Sequence, residues 1–127
     1  MKKLFILLTL AILLNPTDSF AKKYNLRTAN GLLDACKNVI AEEAGEEFDW
    51  NGHGQCFGYF RGVKDSYDIQ NMTSKRTGKI CVPKSATWLQ LIKIFVKWTD
   101  DHPEKLNDFA WTGVVLSMSS VYKCAGA

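Results

Sequence analysis

Apolar residues recur at helical spacing in four separate segments of the chain, whereas the alternation typical of strands is weak. The first segment begins at Asn30, a residue suited to cap a helix, and runs to about Glu43 before Gly45. Its shared apolar stripe consists of Leu32, Leu33, Cys36 and Ile40. We therefore predict a first helix over about 30–43.

The second helix is predicted from about Gln55 to Tyr67, and its apolar side consists of Cys56, Tyr59, Phe60, Val63 and Tyr67. Gly54, Gly58 and Gly62 fall four residues apart and line one strip of this helix. Since each interior glycine costs about 1 kcal/mol relative to alanine, we expect a neighbouring backbone to approach the strip closely. The acidic stretch 46–52 before this helix and the polar stretch 68–79 after it are predicted loops.

Thr87 and Gln90 form a capping box that predicts the start of a third helix. Its apolar face consists of Trp88, Leu91, Ile92, Phe95 and Trp98. An extended segment, 80–83, precedes it, and Pro103 is placed as the first residue of a fourth helix. That last helix carries two apolar stripes, which favours a central position, with a homodimer interface on the second stripe as the alternative. The fold class is therefore all-α, a compact domain of four or five helices.

The amino terminus has the three-part pattern of a cleavable signal peptide. Lys2 and Lys3 precede an apolar run from Leu4 to Leu14 that only Thr9 interrupts, and small residues lead up to Ala21. Eleven residues are too few to cross a bilayer, which needs roughly 20. We predict a signal peptide over 1–21 and one exported domain over 22–127, with no membrane attachment after cleavage.

Charge excludes one class of partner. The chain has 16 basic and 13 acidic side chains, and removal of residues 1–21 leaves 14 and 12. Such a balance lacks the strongly basic face that nucleic-acid-binding domains show. We therefore expect no nucleic-acid partner.

The four cysteines lie in the predicted exported domain at Cys36, Cys56, Cys81 and Cys124. An even number in a small exported domain predicts disulfides. No Cys-x-x-Cys pair is present, so neither a metal site nor a redox site is expected, and no cofactor is predicted. Three pairings are open, and the order of the predicted helical hairpins favours Cys36–Cys56 and Cys81–Cys124.

Several segments together resemble one family. The stretch Cys56-Phe57-Gly58-Tyr59-Phe60-Arg61-Gly62-Val63-Lys64-Asp65 resembles the C-x-G-Y segment of the Rap/Tai family of periplasmic immunity proteins, which are associated with type VI secretion. Further matches follow in the family's order: Leu32-Leu33 with Cys36, Cys81-Val82-Pro83, Thr87 with Gln90-Leu91, His102-Pro103-Glu104 and Cys124. Lys123 stands where the family tends to have proline. The resemblance implies a periplasmic, all-helical inhibitor of a peptidoglycan amidase toxin.

The surface, rather than a reactive group, is therefore expected to perform the function. Candidate toxin-binding residues lie in the predicted loop from Glu42 to His53: Glu46, Glu47, Asp49, Trp50 and His53. The basic loop Ser74–Lys79 is a second candidate. No catalytic residues are predicted, because no nucleophile with a base and no carboxylate pair is recognisable. A periplasmic helper, such as a stress chaperone or lysozyme inhibitor, is the alternative function.

Overall fold

The computed structural model describes residues 22–73 and 80–124, which form four α-helices and one 3₁₀ turn. The helices are α1 (Ala29–Ala44), α2 (Trp50–Thr73), α3 (Trp88–Asp101) and α4 (Ala110–Val121), and the turn is Pro103–Lys105. Within these ranges the only β pairing consists of two isolated bridges. The all-α prediction is confirmed. The predicted signal peptide over 1–21 and the basic loop Ser74–Lys79 lie outside the described residues.

The central helix is α1, not α4 as predicted. All four helices contact one another, but α1 has the most extensive contacts, and its Leu32, Ala35 and Cys36 are fully buried. Phe60 of α2 and Phe95 of α3 meet in the same buried core, with ring centroids 5.6 Å apart. The second apolar stripe of α4 is only partly covered, and its Trp111 is 54% exposed. Across residues 22–73 and 80–124, no helix combines the length and apolar character required to span a bilayer.

Each end of α1 is closed by a recognisable cap. Thr28, rather than the predicted Asn30, is the N-cap, because its hydroxyl accepts a hydrogen bond from the amide of Gly31 at 3.2 Å. At the other end Gly45 adopts a left-handed backbone with φ of 72°, which glycine tolerates best. The predicted stop at Gly45 is confirmed.

The second helix is longer than predicted at both ends. It begins at Trp50 instead of Gln55, because the carboxylate of Asp49 accepts hydrogen bonds from the amides of Asn51 and Gly52 and so caps the first turn. It also continues beyond Tyr67 to Thr73, so the predicted loop over 68–73 is helical. An i, i+4 pair between Lys64 and Asp68 spans the predicted boundary.

The expected close approach to the glycine strip of α2 is wrong. A side-chain Cβ added at Gly54, Gly58 or Gly62 would meet no atom within 4 Å, and all three glycines are exposed. The close approaches occur at other glycines. At Gly31 a Cβ would lie 1.9 Å from the carbonyl oxygen of Asn25, so α1 begins against the amino-terminal segment.

The fourth helix begins at Ala110, not at Pro103. In a helix continuous from Pro103, the carbonyl of Leu106 would accept a hydrogen bond from the amide of Ala110. Instead, this carbonyl accepts the amide of Asn30 at 2.9 Å, while the amide of Ala110 donates to Arg27 at 3.0 Å. The first turn of α1 thus takes the hydrogen bonds that would have joined the turn at Pro103 to α4.

Both predicted disulfides are confirmed. Cys36–Cys56 joins α1 to α2, and Cys81–Cys124 joins the segment before α3 to the residues after α4. Their Cα–Cα distances are both 5.0 Å. The predicted third-helix start is also confirmed, because Thr87 accepts the amide of Gln90 at 3.2 Å.

Candidate functional site

The turn between α1 and α2 is held by a hydrogen-bonded network rather than by apolar packing alone. We call residues 42–53 the hairpin tip. The Tyr24 hydroxyl donates to the Asp49 carboxylate at 2.9 Å and accepts from the Asn38 side-chain amide at 3.0 Å. The amide of Asp49 in turn donates to Asn38 at 2.9 Å. Three segments of the chain therefore fix the position of Asp49.

The pKa values of Asp49 and Tyr24 both reflect this network. The backbone hydrogen bond from Asn51 is the largest cause that lowers the pKa of the Asp49 carboxyl, and the hydroxyl of Tyr24 adds to it, while desolvation acts in the opposite direction. Burial, followed by the hydrogen bond to Asp49, raises the pKa of the Tyr24 phenol. Both pKa shifts favour a charged Asp49 carboxylate beside a neutral Tyr24 phenol.

An aromatic cluster forms the outer part of the tip. It consists of Phe48, Trp50 and His53 and extends to Phe57 in the next turn of α2. The ring centroids of Phe48 and Trp50 are 4.6 Å apart, and those of His53 and Phe57 are 4.9 Å apart. Although Trp50 takes part in the cluster, 70% of its surface is exposed. An exposed indole supported by neighbouring rings is the type of side chain that anchors protein–protein interfaces.

The acidic residues of the tip divide into bonded and unbonded groups. Glu42 pairs with His53, and Glu43 pairs with Lys93 of α3. Glu46 and Glu47 are exposed and form no ion pair with another residue of the described ranges. Two negative charges without an ion-pair partner among the described residues therefore precede the exposed Trp50 in the connecting segment.

The five predicted binding residues are thus close together, although they differ in role. Glu46, Glu47 and Asp49 lie in the connecting segment, whereas Trp50 and His53 belong to the first turn of α2, contrary to the predicted loop. Asp49 is occupied as the helix cap. Phe48, Phe57 and Tyr24 were not among the predicted site residues, although the run Phe48-Asp49-Trp50 indicates an aromatic cluster.

A second surface feature lies between α2 and α4. It is an open groove of about 620 Å³ whose lining includes Gly58, Gly62, Trp111 and Val115. The groove exists because the glycine strip adds no side chains to this face. The glycine strip was predicted from the sequence, but as a site of close backbone approach and not as the floor of an open groove.

The described cysteines and histidines form neither a free thiol nor a metal-binding cluster. All four cysteines are in disulfides. His102 stacks on Trp98 and its Nδ1 lies 2.8 Å from the carbonyl oxygen of that residue, away from His53 in α2. In residues 22–73 and 80–124 no cluster of three side chains could hold a metal ion.

Comparison with known proteins places the chain in a family. No curated protein and no solved structure matches it. The family model of the Rap1a immunity proteins matches residues 28–124, which include α1 to α4 and both disulfides. Proteins of this kind generally act by binding a cognate toxin rather than by catalysis. This match over most of the sequence agrees with the resemblance in the cysteine, glycine and capping segments: the chain belongs to the family of Rap1a immunity proteins.

Proposed function

We propose that the chain is a periplasmic immunity protein that inhibits a peptidoglycan amidase toxin, and that the hairpin tip is its main contact. Membership of the immunity family supports the general role. The amidase as the target follows from the resemblance described above. Residues 1–21 would direct export, and the mature protein would meet the toxin outside the cytoplasm.

One observation carries the choice of the tip: Trp50 is 70% exposed on a turn that is otherwise held by hydrogen bonds and a disulfide-linked hairpin. Because its backbone is already ordered, little conformational entropy would be lost there on binding. A large aromatic side chain on a preorganised support contributes more binding free energy than the average interface residue.

Charge indicates the kind of toxin surface that the tip would fit. The uncompensated Glu46 and Glu47 favour a partner with a basic rim around an apolar pocket for the indole. Rim charges of this kind mainly raise the association rate. An indole that becomes buried in the complex mainly lowers the dissociation rate. Neutralising both glutamates is expected to slow association more than it changes dissociation.

A binding and protection assay tests the proposal. The purified oxidised protein is titrated against peptidoglycan amidases that the source organism and its competitors secrete, and release of peptides from isolated cell walls is measured. We expect a dissociation constant of about nanomolar or below, as protection from a lethal enzyme requires. If the protein inhibits none of these amidases at micromolar concentration, the proposed function is contradicted and a periplasmic helper is favoured.

Two matched tryptophan variants test the location of the contact. Trp50→Ala is expected to weaken binding by about thirtyfold, the loss typical of an interface hot spot. Trp111→Ala removes a similarly exposed indole from the groove between α2 and α4 and is expected to change binding by less than about threefold. A larger loss of binding in Trp111→Ala than in Trp50→Ala would indicate that the toxin contacts the groove and not the tip.

Export is tested separately by fractionation. A protein recovered from the periplasm with the mass of residues 22–127 would support both cleavage after Ala21 and the proposed location. Recovery from the cytoplasm with residues 1–21 retained would contradict them.

A further inference from the structure

The segment before α1 lies against the hairpin tip and is bonded to it at two points. The side-chain amide of Asn51 donates to the carbonyl of Lys22 at 2.7 Å, and the Tyr24 hydroxyl donates to the Asp49 carboxylate at 2.9 Å. The Tyr24 side chain is only 7% exposed and belongs to the hydrophobic core. This segment is therefore a packed part of the tip, although 25 residues separate Tyr24 from Asp49 in the sequence.

Three amides in the first turn of α2 donate to Asp49. Its Oδ1 accepts the amide of Asn51 at 3.0 Å, its Oδ2 accepts the amide of Gly52 at 3.3 Å, and its backbone carbonyl accepts the amide of His53 at 3.0 Å. Trp50 lies in the same turn, between Asp49 and these three residues. The position of Asp49 therefore determines the position of the backbone that carries the exposed indole.

The Tyr24 hydroxyl bonds to the same carboxylate oxygen that accepts the amide of Gly52. It donates to Oδ2 of Asp49 and accepts from the Asn38 side-chain amide at 3.0 Å, so it links α1 to the cap of α2. Gly52 leaves the space for this contact, because a Cβ there would lie 2.7 Å from Cζ of Tyr24. A hydrogen bond to a charged group contributes more than a neutral one, so loss of this hydroxyl should loosen the cap.

Tyr24 lies outside the segments assigned to binding so far. It precedes residues 28–124, which match the family model, and it also precedes the hairpin tip, residues 42–53. Its hydrogen bonds nevertheless lead directly to the turn that carries Trp50. A role for this residue in binding is therefore additional to what the family match and the tip themselves indicate.

We propose that Tyr24 is a positioning residue for toxin binding: its hydroxyl holds the Asp49 cap and thereby keeps Trp50 in the orientation that binds. The effect on the toxin rests on the proposed function, whereas the effect on the tip is a property of the free protein. An indole that is already positioned loses less conformational freedom on binding. Immobilising one such side chain lowers affinity by about fivefold, so this is the advantage that the Tyr24 hydroxyl provides.

Hydrogen exchange of the free, oxidised protein tests the positioning without a toxin. Tyr24→Phe removes the hydroxyl and retains the buried ring. We expect exchange at the amides of residues 51–53 to become about tenfold faster, the change expected from loss of one hydrogen bond to a charged group. Tyr59→Phe is the matched control, because it removes a hydroxyl that is bonded to the backbone of Trp111 beside the groove. It should leave exchange at residues 51–53 unchanged.

A double-mutant cycle tests whether Tyr24 acts through the Asp49 carboxylate. In Asp49→Ala the amide of His53 keeps its acceptor, which is a backbone carbonyl. We expect Tyr24→Phe to speed exchange at this amide by less than about threefold in the Asp49→Ala background, compared with about tenfold in the parent protein. A tenfold change in both backgrounds would show that Tyr24 acts on the turn by another route, and would contradict the proposal.

Toxin binding supplies a second measurement, which a general loss of stability would not change. With an amidase that the protein inhibits, Tyr24→Phe should weaken binding by about fivefold and Tyr59→Phe by less than about twofold, both well below the unfolding temperature. Equal dissociation constants for the two variants would contradict the positioning role and leave the proposed function intact. If no amidase is inhibited, the proposed function fails, and exchange at residues 51–53 decides the positioning: tenfold faster exchange in Tyr24→Phe supports it, and unchanged exchange overturns it.

Discussion

The two disulfides of the protein join neighbouring helical segments in very different surroundings. In the first hairpin, Cys36 and Cys56 are both completely buried. In the second, Cys81 is exposed and Cys124 is half-buried beyond the end of α4. The first disulfide is therefore part of the hydrophobic core, whereas the second ties together two chain segments at its edge.

Loop length and burial make opposite predictions for these bonds. The second disulfide spans 43 residues and the first spans 20. On the chain-entropy model the longer loop contributes more, about 4 against about 3 kcal/mol. Core packing adds a further contribution only to the first bond, because its sulfur atoms fill space among buried side chains. Sequence separation and burial therefore predict opposite orders for the two bonds, which the stabilities of the two double variants distinguish.

Replacement of Cys36 and Cys56 by alanine should have the largest effect on stability. We expect a loss of about 5 kcal/mol in the free energy of unfolding, of which about 3 kcal/mol is lost loop closure and the remainder the cavity left by two buried sulfurs. Urea denaturation followed by circular dichroism measures it. A loss of this size approaches the lower range of total stability for a small domain, so the variant should unfold at much lower urea concentration than the parent protein.

Replacement of Cys81 and Cys124 by alanine should cost less, about 4 kcal/mol, because loop closure is lost but no buried cavity forms. Hydrogen exchange should increase mainly at the amide of Cys81, which donates to Tyr122 at 2.9 Å, and at its neighbours. If this double variant proves less stable than the Cys36 and Cys56 variant, loop length and not burial determines which disulfide contributes more to stability.

Two glycines of α2 sharpen the contrast within the first hairpin. A Cβ at Gly52 would lie 2.4 Å from the Asn38 amide nitrogen and 2.6 Å from the Tyr24 oxygen, both held by hydrogen bonds. Gly52→Ala should therefore destabilise the protein by about 2 kcal/mol. Gly58→Ala meets open space and should stabilise it by about 1 kcal/mol, the helix-propensity gain. Thermal unfolding of both variants measures the two changes in stability. Changes of the same sign in both variants would contradict the prediction.

Acid should have the smallest effect, confined to the first hairpin. The folded-state pKa of Asp49 lies below its ordinary value, so its contribution is complete above about pH 4, the value for an unfolded aspartate. It is lost as the pH falls through the lower folded value, because the unfolded chain binds the proton more readily. Exchange at the amides of Asn51 and Gly52 should rise over that range. An equal rise in Asp49→Asn, which cannot titrate, would contradict this cause.

Much of the framework was predictable because it depends on local patterns. The stop at Gly45, the cap at Thr87 and the buried stripe of α1 follow from single short segments. The disulfide pairing followed from the order of the hairpins. The stop, the cap and the pairing are confirmed, and of the predicted stripe Leu32, Leu33 and Cys36 are buried whereas Ile40 is half-buried.

The errors arose where a distant segment overrides a local preference. Asn51-Gly52 is typical of a turn, but Gly52 is helical and lacks a side chain because Tyr24 and Asn38 occupy that space. Pro103 is suited to begin a helix, but the amides of Ala29 and Asn30 take the carbonyls that would have extended it to α4. The exposed glycine strip has no local cause in the monomer.

The hydrogen bond from the Asn51 side chain to the carbonyl of Lys22, at 2.7 Å, has a practical consequence for experiments. A purification tag fused ahead of Lys22 would emerge beside Trp50 and compete with whatever binds there. The carboxyl end is a better point of attachment, because the disulfide to Cys81 holds Cys124 beside the segment that contacts Tyr67, which lies seventeen residues along α2 from Trp50 and therefore about 25 Å away.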